Sequence, residues 1–309
     1  MTTTLTDMIN EVSMNLSGYT LTQDRSTYIK SAVPATASSS ASPIVLSLGS
    51  TDNVGKGIVE IDEELFWVDN YDRVGNTATI APYGRAYLGT TLAAHTAGVK
   101  VTIAPTFPRF TIKRAINDTI NAIGASIFAA KTTTITSNAA VAAFRLPTTG
   151  TTLNINKILS IAYQTLGASK EWTPIRSYRF DGNANSTAFT SGQTVSIYDY
   201  IPSGRSVQVV YATDPTPFTT NAQEFATQTG LPESCKDLII LGATYRLLSN
   251  LDPARAAMVS PQADETDSKR PYGSSQSLTK QVYSLFNQRL NEEIKNQQDK
   301  YPIRVHSSR

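Results

Sequence analysis

The residues best suited to chemistry in this chain are two histidines, one cysteine and a short run of carboxylates. His95 and His306 are the only histidines and lie in segments of different character, so a histidine-based metal site is not expected. Cys235 is the only cysteine, which excludes an internal disulfide and a zinc site made of several cysteines. A nearby helix start would favour its thiolate, but no adjacent base is identifiable. We therefore interpret it as a small buried cysteine.

The carboxylates Glu60, Asp62, Glu63 and Glu64 form a cluster that could bind calcium or supply an acid–base pair. Glu60 and Asp62 alternate with apolar residues, which is typical of side chains on the wet face of a strand. Residues 62–64 have the composition of a turn. We predict a surface role for this cluster and no site.

Two glycine-containing segments also deserve a chemical interpretation. Residues 49–57, GSTDNVGKG, are superficially similar to a phosphate-binding loop, but Gly57 stands where a Ser or Thr should bind magnesium. We interpret them as a loop between strands. His95 lies in a turn region rich in Gly, Thr and Ala, where a turn-stabilising hydrogen bond is favoured over acid–base catalysis. The sequence therefore predicts no catalytic residue, no cofactor and no metal.

Charge and hydropathy restrict the function further. The chain of 309 residues has 27 Lys and Arg against 25 Asp and Glu, which is too balanced for tight DNA binding through phosphate neutralisation. Neither a signal peptide nor a run of about 20 apolar residues is recognisable, so we expect a soluble chain.

Four helices are predicted where apolar residues recur every three or four positions. The first is too short to be stable alone and needs a partner. Pro108 precedes the second, and Pro232 suits the first turn of the third. The predicted helices cover residues 5–16, 109–128, 232–250 and 275–298.

Strands are predicted in two regions where β-branched and aromatic residues are bounded by Gly, Asn, Asp or Ser. Gly75-Asn76 and Asp181-Gly182 are clear turn pairs. The first region contains strands at residues 44–48, 57–61, 65–71, 77–81 and 99–103, and the second at residues 158–166, 177–180, 194–198 and 206–211.

This order of elements predicts an α+β fold, in which helices from both ends of the chain form one discontinuous bundle and two antiparallel β units are insertions. A polar, aperiodic loop is predicted at residues 260–275. The predicted domains are residues 1–33, 106–131 and 218–298 for the bundle, 34–105 for a small barrel-like β unit, 132–217 for a second β domain and 299–309 for a C-terminal arm.

The last segment mixes basic and apolar side chains and is too short to build a structure of its own, so we predict that this arm contacts a partner. The candidate contact residues are Lys300, Tyr301, Ile303, Arg304, Val305 and Arg309.

Two blocks of sequence carry a family resemblance. The first is residues 58–68 (IVEIDEELFWV) followed by residues 84–90 (GRAYLGT), Ala94-His95 and Gly98. It resembles the β module of head-to-tail adaptor proteins of tailed bacteriophages, which continues into a short strand, prolines and a helix. The second block also resembles these adaptors, near the start of a bundle helix; it comprises residues 231–233 (LPE), 238–248 (LIILGATYRLL) and 252–255 (DPAR). The region 132–217 resembles nothing familiar.

The resemblance implies a structural, non-enzymatic virion protein in the phage neck, made in the host cytoplasm. It implies a homo-oligomeric ring, usually of twelve subunits, below the portal. DNA would pass through the lumen without sequence-specific contact. The implied partners are other copies of the chain, the portal protein, which the arm is expected to contact, and downstream neck and tail proteins.

Two alternatives stay open. The first is another tail, baseplate or receptor-binding component whose β units bind a host carbohydrate. Trp67 and Trp172 could stack on sugars, although packing in the core is the preferred interpretation of each. The second is a cytoplasmic enzyme of unfamiliar type, which a deep pocket with strongly shifted pKa values would reveal.

Overall fold

The computed structural model describes residues 2–19, 24–35, 44–138, 140–146, 155–166, 170–249 and 274–302. It is a mixture of helices and antiparallel sheets, which confirms the predicted α+β class. The chain divides into two compact units. The barrel unit comprises Thr6–Ile116 and Ile240–Val282, and the sandwich unit comprises Met1–Leu5, Asn117–Ile239 and Tyr283–Arg309.

The helices follow the predicted apolar periodicity. In α1 the side chains of Met8, Ile9 and Val12 are buried, whereas Met14 is exposed. None of the described helices combines the length and apolar content needed to cross a membrane. The helices are α1 (Leu5–Ser17), α2 (Arg109–Ile123), α3 (Phe225–Thr229), α4 (Lys236–Ser249) and α5 (Ser274–Lys300).

Helix α2 ends earlier than predicted. Ile123 is its last residue, and the N–H groups of Ser126 and Ile127 both bond to the carbonyl oxygen of Ile123, at 2.8 Å. The isoleucine spacing continues to Ile127, which is buried like the others, so periodicity alone extended the helix too far.

The barrel unit is built on six antiparallel strands in the order β1-β6-β3-β4-β5-β2. At the two ends of this order, Ile29 pairs with Leu48, and the N–H of Gly49 donates to the carbonyl of Tyr28 at 2.8 Å. The sheet therefore closes on itself around an apolar core. The strands are β1 (Arg25–Tyr28), β2 (Ile44–Ser47), β3 (Gly57–Ile61), β4 (Glu64–Asp72), β5 (Thr77–Ile80) and β6 (Lys100–Ile103).

All five strands predicted in this region are present, and β1 was missed. Its sequence, Arg-Ser-Thr-Tyr, has no buried alternation, because the strand pairs through its backbone with β6 while its side chains are mostly exposed. The core is formed by residues that include Leu46, Phe66, Val68 and Ile80.

The sandwich unit contains two antiparallel sheets that share one apolar core, which includes Ile161, Val195 and Val209. The four-stranded sheet has the order β10-β9-β13-β7, and the three-stranded sheet has the order β11-β12-β8. The strands are β7 (Ala129–Thr136), β8 (Ala143–Arg145), β9 (Ile155–Gln164), β10 (Trp172–Pro174), β11 (Tyr178–Asp181), β12 (Thr194–Ile197) and β13 (Ser206–Thr213).

The four strands predicted here are confirmed, but β7, β8 and β10 were missed. β7 is a run of Ala, Lys and Thr with a single Ile, so it lacks the apolar alternation that indicates a strand. In the same unit the N-terminal residues pair with a distant segment, because Phe225 donates its N–H to the carbonyl of Thr3 at 2.8 Å and Thr4 bridges to Glu224.

The arrangement of all helices in one bundle stays a prediction. Residues 260–273 of the predicted loop lie outside the described residues, and Ser274 and Ser275 are already helical in α5.

Candidate functional site

A buried ion pair holds the turn-rich segment of the barrel unit in place. Glu64, the first residue of β4, meets Arg85 through two parallel bonds, from Nε to Oε1 at 2.9 Å and from Nη2 to Oε2 at 2.8 Å. Both side chains are fully buried. Arg85 also donates to the carbonyl oxygens of Pro34 and Ala93, at 2.7 and 2.6 Å. Because the planar guanidinium fixes the orientation of each partner, Arg85 joins three separate segments rigidly.

His95 extends this cluster. Its Nδ1 lies 2.8 Å from Asp62 Oδ2 and its Nε2 lies 2.9 Å from Glu64 Oε2. Burial opposes protonation of His95, but the hydrogen bonds with Glu64 and Asp62 outweigh it and raise its pKa. We call Asp62, Glu64, Arg85 and His95 the charged network.

The carboxylate of Glu64 is saturated with donors. Besides Arg85 and His95, the backbone N–H groups of Ala86 and Ala93 donate to it, at 3.1 and 2.9 Å. Burial alone would raise the pKa of Glu64, but these bonds outweigh it and lower the pKa to about 2. A carboxylate with so low a pKa and with every oxygen engaged is a poor general base near neutral pH. These bonds fix the position of the Glu64 carboxylate relative to the turn-rich segment.

Glu60 occupies a second buried position, at the start of α2. Its Oε1 accepts the backbone N–H of Arg109 at 2.5 Å, where a helix N-terminus favours negative charge. Burial nevertheless raises the pKa of Glu60 to about 7. Its neighbours Val59 and Ile61 are buried as well, so β3 is covered on both faces.

These positions correct the predicted surface role of the carboxylates. Glu60 and Glu64 are buried, the turn is confined to Asp62 and Glu63, and only Asp62 is widely exposed. The alternation of polar and apolar residues in β3 indicated that one face of the strand is exposed to solvent. The sequence does not show that the start of a helix and an arginine supply hydrogen-bond donors to the carboxylates. Arg85 was missed as a partner. It is the only Lys, Arg, Asp or Glu in residues 74–99, and that isolation is the signal that could have indicated burial.

The predicted turn-stabilising role of His95 is confirmed in a stronger form. Its backbone N–H and carbonyl both bond to Val33 at 2.8 Å, while its ring joins the charged network. Both ring nitrogens of His95 have a carboxylate partner. The residue can therefore be buried, and only 1% of its surface is exposed.

The turn-rich segment that contains Arg85 also exposes large apolar side chains. Tyr83 is 74% exposed and Leu88 is 66% exposed. Both have left-handed backbone conformations, with φ of 58° and 55°, which are uncommon for residues other than glycine. Gly84 lies between them, where a Cβ would approach the carbonyl oxygens of Ala81 and Trp67 to within 2.8 and 2.9 Å. We call Trp67, Tyr83, Tyr87 and Leu88 the apolar loop surface.

Trp67 belongs to this surface and not to the core, which corrects its prediction. Phe66 and Val68 face the barrel interior, so the residue between them faces outward, where its ring lies 5.2 Å from that of Tyr87. Rigid, exposed aromatic and aliphatic side chains are typical of protein–protein contacts.

A second exposed surface lies on the sandwich unit. The N–H of Tyr198 donates to Ser177 at 2.9 Å, so the two segments run side by side. Tyr198 is 63% exposed and Tyr200 is 88% exposed. Arg176 and Arg179 on the neighbouring segment are exposed as well. Trp172, predicted to pack in the core, is 43% exposed because its short strand β10 lies at a sheet edge.

The other candidate residues have structural roles. Residues 49–57 connect β2 to β3 without a following helix, as predicted. Cys235 is buried, which confirms its interpretation as a small buried cysteine, and burial raises the pKa of its thiol to about 12. Among the residues that the structure describes, no group of three or more His, Cys, Asp or Glu side chains could hold a metal ion.

Arg289 of α5 ties the start of α4 to the last helix within the sandwich unit. It bonds to Asp237 at 2.7 Å, to Glu292 at 2.6 Å and to Glu293 at 2.9 Å, and donates to the carbonyl of Ser234. Hydrogen bonds with Asp237 and Glu292 raise the pKa of the guanidinium further. The second resemblance block begins at this junction.

Of the predicted arm residues, the structure describes only the first two. Lys300 is the last residue of α5, so residues 299 and 300 are helical, and the N–H of Tyr301 still donates to Gln297 at 2.9 Å. The ring of Tyr301 lies 5.8 Å from that of Phe128. The remaining candidates, Ile303, Arg304, Val305 and Arg309, lie outside the described residues.

Residues 90–306, more than two-thirds of the chain, match the family model described as SU10 adaptor protein. The chain belongs to the SU10 adaptor protein family. A comparison with curated proteins finds no match. The SU10 adaptor match covers the second resemblance block and all of region 132–217, for which the sequence alone indicated no family. The match begins at Thr90, so most residues of the charged network lie before the matched region. Membership of the SU10 adaptor family confirms the expected adaptor class.

Proposed function

We propose that this chain is a structural head-to-tail adaptor of a tailed bacteriophage, which forms a ring below the portal and catalyses no reaction. The observation that carries the proposal is the match of residues 90–306 to the SU10 adaptor family. Its location would be the virion neck, with assembly in the host cytoplasm. Twelve subunits are the number expected from the resemblance, with DNA passing through the lumen.

The small net charge of the chain supports a channel through which DNA passes without being bound tightly. A formal net charge of +2 on 309 residues gives little excess to neutralise phosphates. Binding of duplex DNA by the isolated protein is therefore expected to be weak and non-specific. The proposed arm, residues 299–309, contacts the portal in this scheme.

The apolar loop surface supports subunit contact. The left-handed backbone of its residues costs conformational energy, and burial of the charged network costs desolvation energy. Many hydrogen bonds are therefore needed to hold this conformation. The result is a rigid display of Tyr83 and Leu88. Preorganised anchors of this kind lose little entropy on binding. We assign this surface to the contact between neighbouring subunits of the ring.

The test is electron microscopy of the purified protein, alone and with portal rings. Rings with a lumen wide enough for duplex DNA, stacked beneath portals, are the expected result. A chain that stays monomeric at all concentrations and does not bind portals contradicts the proposal. A trimer that binds glycans would instead identify a receptor-binding component.

A variant pair tests the assignment of the apolar loop surface. Tyr83→Ser with Leu88→Ser is expected to weaken ring formation at least tenfold in subunit concentration. Val74→Ser is the matched control, because Val74 is 95% exposed on another turn of the same barrel. If both variants assemble equally well, the apolar loop surface is not part of the subunit interface. The proposal that the chain forms a ring would still stand.

A further inference from the structure

The outer face of the four-stranded sheet carries no charged side chain over most of its area. Side chains alternate along a strand, and Val207 and Val209 of β13 point into the sandwich core. Ser206, Gln208 and Val210 therefore point outward. Residues that are paired across neighbouring strands share a face, so the register extends this face to β7, β9 and β10.

We call these eleven outward side chains the neutral face. They are Thr132, Thr134 and Thr136 of β7, Ser206, Gln208 and Val210 of β13, Ser160, Ala162 and Gln164 of β9, and Trp172 and Pro174 of β10. The three threonines are exposed, and Trp172 at the opposite edge is 43% exposed. The neutral face ends at Lys157, which pairs with Ala212 and whose ammonium lies 4.5 Å from the centre of the Phe128 ring.

So large a neutral area is unusual on a surface that meets only water. Charged residues make up 17% of this chain and about 25–35% of a well-solvated protein surface, so about two or three are expected among these positions. The three-stranded sheet of the same unit follows that expectation, because the side turned away from its core carries Arg145, Arg179 and Asp181. Charged residues are depleted where two proteins meet, since an ion loses its hydration when it is buried. The neutral face therefore has the composition of a contact surface.

This composition also restricts what can cover the face. Without positive charges the neutral face cannot neutralise phosphates, so a nucleic acid is not the ligand. Trp172 is its only aromatic residue and lies at its edge, so a sugar ring has no second aromatic surface on which to stack.

A protein surface that is itself neutral fits best, because neither side then has to lose the hydration of a charge. This chain carries such a surface. Arg85 is the only Lys, Arg, Asp or Glu in residues 74–99, and its side chain is fully buried, so the apolar loop surface is neutral as well. The best match among possible occupants is therefore a second copy of the chain.

The size of the neutral face agrees with a role as one part of a larger contact. Strands lie about 4.8 Å apart and side chains on one face are about 6.8 Å apart along a strand, so the neutral face spans about 350 Å². Each partner in a stable protein–protein contact buries about 800 Å². The face supplies a large part of such a patch, but it is too small to hold two copies together as an isolated pair of sheets.

A ring gives every subunit two different neighbours, so every subunit needs two different patches. The apolar loop surface is one of these patches. We propose that the neutral face is the other, so that the next copy of the chain covers it; this assignment rests on the proposed function.

Gln208→Glu tests the assignment, because it adds one negative charge near the centre of the neutral face and hardly changes the size of the side chain. In the ring this carboxylate would lose its hydration, so half-assembly is expected to need at least a tenfold higher subunit concentration. Gln298→Glu is the matched control, since Gln298 is exposed on α5 in the same unit, and it is expected to assemble like the unsubstituted chain. Sedimentation measures assembly, and far-UV circular dichroism shows that both variants are folded.

A crosslink on the folded, assembling chain identifies what covers the neutral face. A benzophenone side chain is introduced at Thr134, which is exposed on β7, and rings are assembled from equal parts of isotope-labelled and ordinary copies. Crosslinked peptides that join a labelled copy to an ordinary one are expected. Crosslinks confined to single copies, or no crosslink in assembled rings, overturn the proposal.

The other outcomes are equally distinct. Equal assembly of Gln208→Glu and Gln298→Glu means that the neutral face lies outside the contact, which overturns the proposal. Strong binding to a glycan array that Gln208→Glu abolishes would make the face a carbohydrate site and would overturn it as well. If the unsubstituted chain forms no ring in electron micrographs, the proposed function fails first and the assignment fails with it. Rings that form equally well with Gln208→Glu refute the assignment alone.

Discussion

Replacing Glu64 by Gln tests whether the charged network holds the barrel together. The substitution keeps the size of the side chain but removes its charge, so Arg85 and His95 lose their shared counter-ion inside the protein. Removing one partner of a buried ion pair costs about 3–5 kcal/mol. With a denaturant slope of about 1.5 kcal/mol per molar urea, the unfolding midpoint should fall by about 2–3 M.

The pKa of Glu64 gives an independent magnitude for the same interaction. Each tenfold change in proton affinity is worth about 1.4 kcal/mol, so lowering the pKa from 4.5 to about 2 corresponds to roughly 3 kcal/mol. A carboxyl group with a depressed pKa stabilises the folded state fully above pH 4.5 and loses that contribution as the pH falls to about 2. The Glu64→Gln chain should lack this acid-dependent loss.

The assay follows the barrel alone. Trp67 lies in the barrel unit and Trp172 in the sandwich unit, so a Trp172→Phe background leaves one fluorescent reporter for barrel unfolding. Glu63→Gln is the matched control, because Glu63 is partly exposed and pairs with Lys113 at 3.1 Å, an arrangement worth less than about 1 kcal/mol. If both variants lose the same small amount, the network does not stabilise the barrel.

Three further outcomes are expected. Glu60→Gln should remove a fall in stability of about 3 kcal/mol between pH 4.5 and 7, because the Glu60 carboxyl group ionises above about pH 4.5 in the unfolded chain but stays protonated up to about pH 7 in the folded chain; urea midpoints across that range measure it. Gly84→Ala should cost about 1–3 kcal/mol, since its Cβ meets backbone oxygens, as read by thermal unfolding. Cys235 should resist a thiol reagent at pH 8 until urea unfolds the chain.

Each of these has a contrary result. A pH profile that is the same with Glu60 and with Gln would mean that the carboxylate is solvated. Unchanged stability with Ala at position 84 would mean that the turn relaxes at no cost. Rapid labelling of Cys235 in the folded chain would show that the start of α4 opens locally, and a small free thiol added to the same buffer with urea confirms that the reagent is active.

Helices and paired strands were predictable where the spacing or type of the side chains indicates them. α1 and α5 follow apolar spacing, and β3 and β5 contain β-branched residues between turns. β7 gave no such signal, because its stability comes from backbone pairing with β13 and not from its threonines.

The candidate site was predictable only in part. His95 was correctly placed in a structured turn, but Glu60 and Glu64 were assigned to the surface. Whether a carboxylate is buried depends on donors that arrive from distant segments, such as Arg85 and the N–H of Arg109. Spacing within one strand carries no information about those partners.

The closure of the barrel through Ile29 and Leu48 has a consequence for how copies of the chain meet one another. Exposed strand edges are where crowded β proteins stick to one another. Six strands joined into a ring present side chains and no continuous row of vacant backbone groups. Contacts between barrels therefore depend on the shape of their side chains and not on indiscriminate strand pairing.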